Sequence, residues 1–228
     1  MMDKLLSLLQ LCDSNFPSGA FSHSFGFETY IYHEKIRNYE TFKTVLCTYI
    51  ETQLTYVDGL ACRLTYECLA KKSEEDIWRL DEMLTALSLA RETREGNRLI
   101  GERMLKLCSE IYPSDVLNNY KEMYRKKRVY VHPALVFAMV CYHMEIPKDI
   151  TVLSYLYVAV QSLIQNAVRS IPLGQTDGQK LLVFVQMHMM DAAQKIDCLE
   201  ETDLGAMAPG LEIAQMQHEQ LSVRLFMS

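Results

Sequence analysis

The sequence QSLIQNAVRSIPLGQTDGQKLL, residues 161–182, contains the end of one apolar helix, a turn and the beginning of a second helix. Up to Val168 its apolar residues recur at steps of three and four, which is the spacing of one helical face. Pro172 cannot continue the helix, and Gly174 and Gly178 permit backbone angles that are closed to other residues. The stretch therefore predicts two helices that meet at a short turn.

Polar side chains are concentrated around this turn, at Arg169, Gln175, Asp177 and Gln179. Asp177 is placed to cap the second helix, because a carboxylate accepts hydrogen bonds from the free amide groups of a helix start. The simplest interpretation is a capped turn between two helices. The same turn would also present hydrogen-bonding groups from a rigid base, which suits a contact with a partner protein.

The composition indicates one folded domain. The chain has 228 residues, of which 49% are hydrophobic and 23% are charged, and this is enough apolar material for a sizeable core. No linker divides it, so we expect a single domain over residues 1–228. The net charge of -6 argues against nucleic acid as the main partner. A basic run at residues 125–128, RKKR, is more typical of a solvated helix end or loop.

Cysteine usage and the lack of long apolar runs indicate a cytoplasmic protein. The seven cysteines form no CxxC pair, so we expect reduced thiols. Residues 1–14 contain a short apolar run without a small-residue cleavage site. No segment has the roughly 18 uninterrupted apolar residues of a membrane helix. We therefore predict a cytoplasmic localisation without membrane attachment.

Helical periodicity continues through most of the remaining chain. It is clearest over Thr41–Asp58, where apolar residues again recur at steps of three and four. Gly59 is expected to separate this helix from the next. Pro133 suits the first turn of a helix over Ala134–Met144, where its missing amide hydrogen costs nothing. Because strand signals are scarce, we predict an all-α fold, a single-domain bundle of about ten helices.

Residues 12–26, CDSNFPSGAFSHSFG, form a turn-rich loop whose phenylalanines predict that it is packed down. Ser22 or Ser24 could cap the next helix. His23 has two interpretations, a base or metal ligand and a hydrogen-bonded structural residue. The structural role is favoured, because no cysteine or carboxylate stands at metal-ligand spacing beside it.

Two glycines, Gly96 and Gly101, lie in the charged segment at residues 90–103. Glycine inside a helix costs about 1 kcal/mol relative to alanine. The pair therefore predicts either a close approach of this helix to a neighbour or a break in the helix.

Catalytic motifs are missing from the sequence. GQTDGQK at Gly174 differs from a phosphate-binding loop, because three residues instead of four separate its glycines and Leu181 follows the lysine. HExxH, GxSxG and dinucleotide-binding patterns do not occur. A metal-dependent enzyme would require His23, His132 and carboxylates to meet in space. We predict no cofactor, no metal site and no enzymatic activity.

Five long blocks of sequence are spread in order over nearly the whole chain: FPSGAFSHSFGFE at 16–28, ARETREGNRLIGERML at 90–105, HPALVFAMVC at 132–141, AVRSIPLGQTDGQKLL at 167–182 and EIAQMQHEQLSVRLFMS at 212–228. Together they resemble the urease accessory protein F family. The segments between the blocks, notably 106–131 and 191–211, add no support to the resemblance.

The resemblance implies an all-helical, dimeric chaperone of nickel insertion. It would work with the family's D protein, also called H, and with a nickel-carrying GTPase to mature urease apoprotein. A non-enzymatic role in an assembly also fits the residues better than hydrolysis by this chain. The alternative function is that of a GTPase-activating protein, in which Arg169 would be an arginine finger that stabilises charge on the transferred phosphoryl group.

Three contact surfaces are expected from these observations. The GTPase would contact the polar turn and the loop, at Phe21, Ser22, His23, Arg169, Gln175 and Asp177. Residues 217–228 would be a docking tail for the D/H protein, disordered or loosely held in the free chain, with contacts at His218, Leu221, Arg224, Leu225 and Phe226. A homodimer would form through the helix Asp149–Arg169, whose apolar positions exceed one stripe, at Leu153, Tyr157 and Val160.

Overall fold

The computed structural model of the protein describes residues 2–206 and 208–228. Helices, connecting loops and a non-helical tail make up these ranges, which contain no β-strand, so the predicted all-α class is confirmed. The α-helices are α1 (Met2–Leu11), α2 (Phe27–Tyr32), α3 (Tyr39–Tyr49), α4 (Leu60–Ala70), α5 (Glu74–Leu87), α6 (Arg91–Ile111), α7 (Asp115–Arg125), α8 (Pro133–His143), α9 (Lys148–Ser170), α10 (Gln175–Phe184), α11 (Gln186–Cys198) and α12 (Pro209–Gln217).

Helix α8 lies inside the bundle. All residues from Pro133 to Cys141 are buried, as expected of a helix that is apolar on every side. It contacts α4, α6, α7 and α9. Its start follows the prediction, because Pro133 occupies the first turn and the imidazole of His132 accepts a hydrogen bond from the Ala134 amide.

One buried carboxylate, that of Asp81 on α5, fixes the backbone that leads into α8. It accepts hydrogen bonds from the hydroxyl of Tyr120 and from the amides of Tyr130, Val131 and His132. Burial raises the pKa of this carboxyl, and the hydrogen bonds oppose that rise. The segment before α8 is thereby tied to α5 and α7.

Helix α6 is continuous over Arg91–Ile111, and other parts of the chain approach its two glycines closely. A Cβ atom on Gly101 would lie 1.9 Å from the carbonyl oxygen of Val131, and one on Gly96 would lie 2.7 Å from Nδ1 of His23. The predicted close approach is confirmed, and the alternative of a helix break is wrong. The two glycines let α6 support both the start of α8 and the loop around His23.

The prediction that Gly59 separates two helices is wrong. A π-helical stretch, Ile50–Gly59, joins α3 to α4 without a break, and Gly59 has helical angles, φ −67° and ψ −43°. A Cβ atom on Gly59 would lie 2.5 Å from Cδ1 of Ile196 on α11. The glycine therefore permits close packing of α11 against this continuous helix.

The turn between α9 and α10 is anchored by the buried side chains of Ile171 and Leu173. Gly174 precedes α10, and no side chain caps the start of that helix. The predicted capping role of Asp177 is therefore wrong. Asp177 lies in the first turn of α10, 3.1 Å from the Lys180 ammonium, where its charge interacts favourably with the helix dipole.

A single cluster of buried apolar side chains connects the helices, from Leu8 on α1 to Leu211 on α12. Within the described ranges, no helix combines the length and the apolar character needed to cross a membrane.

Candidate partner-binding surface

The loop before α2 and the last residues of the chain lie against each other. Gly19 (φ 83°) and Gly26 (φ 88°) give the loop its shape, because glycine adopts positive φ without steric cost. A Cβ atom on Gly26 would also lie 2.8 Å from the side chain of Gln215 on α12. We call residues 19–28 together with residues 218–228 the tail–loop surface.

Backbone hydrogen bonds join the two halves of the tail–loop surface. The Met227 amide donates to the Ser22 carbonyl at 2.8 Å, and the Ser24 amide donates to the Ser228 carbonyl at 2.5 Å. The Ser24 hydroxyl also donates to the Ser228 carbonyl, at 2.7 Å. The tail is therefore held by its main chain as well as by its side chains.

The carboxylate of Glu28, on α2, contacts three polar groups of the tail. Its side chain is 9% exposed. The amides of Leu225 and Phe226 donate to Oε1 and Oε2 at 2.5 and 3.1 Å, and Nε2 of His218 lies 2.8 Å from Oε2. Burial raises the pKa of Glu28, but the hydrogen bonds from His218 and the two amides outweigh burial and place the pKa below its usual value. Glu28 is therefore a carboxylate at neutral pH.

His218 is buried between two carboxylates. Its Nε2 lies 2.8 Å from Glu28, and its Nδ1 lies 2.7 Å from Glu92 on α6. Because a neutral imidazole can donate only one of these hydrogen bonds, both form fully only when the ring is protonated. Burial lowers the pKa of His218, but the hydrogen bonds and charges of the two carboxylates raise it above its usual value. Arg224 also donates to Glu92, at 2.7 Å, so two cations balance two carboxylates.

The prediction that the tail is disordered or loosely held in the free chain is wrong. His218, Leu221 and Phe226 are buried against the rest of this chain. Of the five residues expected to contact the D/H protein, these three are therefore not accessible in the described conformation. The side chain of Arg224 is 40% exposed and Leu225 is 66% exposed. These two remain available for a partner.

Four of the six residues expected to contact the GTPase meet at or beside the tail–loop surface. Nη1 of Arg169 donates to the Phe21 carbonyl at 3.2 Å, and the guanidinium lies 5.4 Å from the ring centroid of Phe226. Asn166, one turn earlier on α9, donates to the His23 carbonyl at 2.9 Å. The end of α9 therefore positions both the loop and the tail.

The other two expected GTPase contacts, Gln175 and Asp177, lie at the start of α10. Gln175 is exposed, and Asp177 pairs with Lys180. Among the residues that the structure describes, neither forms a hydrogen bond or ion pair with the tail–loop surface. The sequence predicted that they form one group with the loop. In the structure there are two groups, one at the loop and the end of α9 and the other at the start of α10.

His23 is buried, as expected of a structural histidine. It is 2% exposed, and its Nδ1 lies 2.8 Å from the Ser228 hydroxyl. Burial, together with the charges of Arg103 and His218, lowers its pKa to about 4. The ring is therefore neutral at physiological pH. In the described part of the chain, its buried Nε2 has no hydrogen-bond partner.

The expected dimer helix presents a different set of residues from the one predicted. Val160 is fully buried inside this chain, so its assignment to an interface between two copies is wrong. Leu153 and Tyr157 are half-buried, and Ile150 on the same helix is 40% exposed. The accessible part of α9 therefore includes Ile150, Leu153 and Tyr157.

Several features of the tail were not predicted from the sequence. Val223 and Met227 are 73% and 54% exposed and flank the exposed Leu225. Apolar residues at every second position usually mark the buried face of an extended segment, and Leu221 in the same register is buried, so this spacing gave no signal that they are exposed. Glu28 and Glu92 gave no local signal, because they lie 190 and 126 positions from His218.

The described residues give no support to the metal-dependent enzyme considered above. His23 contacts Ser228, whereas Nε2 of His132 lies 3.6 Å from Asp58 Oδ1. Across residues 2–206 and 208–228, no group of three or more His, Cys, Asp or Glu side chains is arranged to hold a metal ion.

Known proteins resemble the chain over its whole length. A family model described as UreF matches residues 36–186. A protein of Geobacillus kaustophilus (strain HTA426) is 60% identical over 225 residues, which cover 99% of this chain and 98% of the relative. Proteins of Bacillus sp. (strain TB-90) and Lachnoclostridium phytofermentans (strain ATCC 700394 / DSM 18823 / ISDg) are 52% and 53% identical, each over 100% of both chains. All three relatives are named urease accessory protein UreF.

The placement of His218 predicts that the protein loses stability as the pH rises. The pKa of His218 is higher in the folded state than its unfolded value of 6.5. The stability that such a group contributes is fully present below the unfolded pKa and is lost as the pH rises through the folded pKa. Denaturant unfolding from about pH 6 to about pH 9, the range that brackets histidine titration, should show this loss. His218→Gln should reduce this loss and lower stability by about 1–3 kcal/mol, because a buried carboxylate loses a donor.

His33→Gln is the matched control, because His33 is exposed on the surface at the end of α2. It should leave both the stability and its pH dependence close to those of the unchanged protein. If the stability of the His218→Gln variant depends on pH as that of the unchanged protein does, the role of an imidazolium between Glu28 and Glu92 is contradicted.

Proposed function

Because the chain belongs to the UreF family of urease accessory proteins, we propose that it acts as a non-enzymatic chaperone of nickel insertion into urease apoprotein. A role in urease maturation follows from the family. The finer proposal is that the chain works as a homodimer in a complex with a D/H-type accessory protein and a nickel-carrying GTPase. The observation that carries it is the tail–loop surface, a preformed region that combines buried polar contacts with exposed apolar side chains.

The proposed GTPase contact is centred on the loop held by Arg169. The side chain of Phe21 is 58% exposed, while its carbonyl accepts a hydrogen bond from Arg169. An exposed aromatic ring on a fixed backbone is suited to anchor a protein interface. Ser22 and His23 keep this backbone in place through the tail and through Asn166. Gln175 and Asp177 are proposed as a second, separate contact for the same partner.

The proposed D/H contact is the outward side of the tail. Val223, Leu225 and Met227 are exposed, and Arg224 is partly exposed between them. Burial of His218 and Phe226 in this chain gives those residues a positioning role. Because the tail is already ordered, binding would not carry the cost of folding a disordered segment.

The alternative of a GTPase-activating protein with Arg169 as an arginine finger is less well supported by the geometry. Arg169 is exposed, but its Nη1 donates to the Phe21 carbonyl and its guanidinium lies beside Phe226. An arginine finger has to reach a phosphoryl group on another protein, and these contacts would have to break first. A role in positioning the loop needs no such rearrangement.

We expect Arg169→Ala to weaken binding of the GTPase. The loss of a hydrogen bond from a charged donor costs about 1.5–3 kcal/mol, and a loss of this size in binding is roughly a tenfold or larger increase in Kd. The experiment is pull-down of the accessory GTPase, followed by urease activation with nickel, bicarbonate, GTP and the D/H protein, with and without the chain. Arg128→Ala is the matched control, because Arg128 is also an exposed arginine.

Thermal melting of the same variants separates two roles of Arg169. A lower Tm with unchanged GTPase recruitment and unchanged GTP turnover would leave Arg169 only a structural role. Urease activation that proceeds equally well without the chain would contradict the proposed function itself.

The homodimer is proposed to form through the accessible part of α9. Tyr157→Asp would place a charge in that contact, at a cost of several kcal/mol unless the charge is paired, and should give a monomer by light scattering at micromolar concentration. Tyr32→Asp, on an exposed tyrosine of α2, is the control and should leave the dimer intact. A Tyr157→Asp variant that remains a dimer would show that this interface is wrong.

A further inference from the structure

A cavity with a volume of about 140 Å³ lies between the loop before α2, the π-helical stretch, α8 and α9. An engineered protein cavity of about 150 Å³ is large enough to bind benzene, so this one can hold a ligand of similar size. Aromatic rings make up much of its wall, contributed by Phe16, Phe21, Phe25, Tyr49, Phe137 and Tyr155.

The cavity wall carries acidic groups and, among its described lining residues, no lysine or arginine. Asp58 and Asp13 both line it. Asp58 lies in the π-helical stretch, and its side chain keeps 12% of its surface exposed. Nε2 of His132 is 3.6 Å from Asp58 Oδ1, which is too far for a hydrogen bond. A carboxyl group without a strong cationic partner therefore faces the cavity.

Among Asp58 and the titratable groups around it, Asp58 is the one whose pKa lies near neutral pH. Burial raises the pKa of Asp58 to about 7, and the Tyr155 hydroxyl opposes that rise. Burial lowers the pKa of His132, at the start of α8, to about 3, so that ring is neutral. Burial raises the pKa values of Tyr49, Tyr155 and Cys62, so these groups stay protonated.

We propose that this cavity binds a small organic ammonium ion. Aromatic faces attract a cation, most strongly where water is excluded, and the carboxylate of Asp58 supplies the opposite charge. π-Helical turns are frequent at functional sites, and here the stretch and its flank bring Tyr49, Gln53 and Asp58 to the same cavity. The cavity shares Phe21 and Phe25 with the tail–loop surface, but its ligand binding is measured on the chain alone and so does not require the partner contacts proposed there.

Calorimetric titration of the full chain with tetramethylammonium and with its neutral counterpart neopentyl alcohol tests the charge preference. Tetramethylammonium should bind at least about tenfold more tightly, the preference expected of a desolvated cation site. Asp58→Asn should remove this preference. Asp191→Asn makes the same charge change at an exposed residue of α11 that does not line the cavity and should keep it.

The pH dependence of the unaltered protein provides a test that needs no variant. The permanently charged tetramethylammonium should bind more tightly as the pH rises through about 7 and Asp58 ionises, while the affinity of neopentyl alcohol should stay constant. Equal binding of the two ligands, an equal loss in the Asp191→Asn variant, or no binding of tetramethylammonium would each overturn the proposal.

Discussion

The carboxylate of Glu28 is the constraint on which the proposed binding region depends. It is almost fully buried, and its tail donors are two backbone amides and His218. A buried carboxylate is costly unless it is hydrogen-bonded and balanced by positive charge. The tail satisfies both requirements, because His218 and Arg224 supply the cations for Glu28 and Glu92. Without the tail, two carboxylates on α2 and α6 would lose these partners, so the fold of the loop and the position of the tail are coupled.

This coupling places the two proposed partner contacts in one continuous unit. Asn166 and Arg169, at the end of α9, hold the carbonyls of the loop, and Arg169 also lies beside Phe226 of the tail. A substitution at the end of α9 would therefore alter contacts with both the loop and the tail. A partner that binds the tail can influence the loop through contacts that already exist in the free chain, without a separate folding step.

The sequence was a reliable guide where structure depends on local spacing. The apolar run in α8, its Pro133 and the period of α9 required only neighbouring residues, and all were placed correctly. The sequence was a poor guide where contacts join residues that are far apart in the chain. Gly59 permits the approach of α11, and the tail is ordered by Glu28, 198 positions before Phe226. Local spacing and turn chemistry do not reveal either contact, and the sequence therefore predicted a helix break and a loose tail.

Amide hydrogen exchange at Leu225 and Phe226 in the isolated chain is the most direct test that the tail is folded onto Glu28. Exchange of a hydrogen-bonded amide requires local opening and is slower than in an unstructured peptide. A tail folded onto Glu28 should show slow exchange at both amides, and faster exchange at both in a Glu28→Gln variant whose other amides stay protected. Exchange of the unaltered tail at the rate of an unstructured peptide would contradict this arrangement.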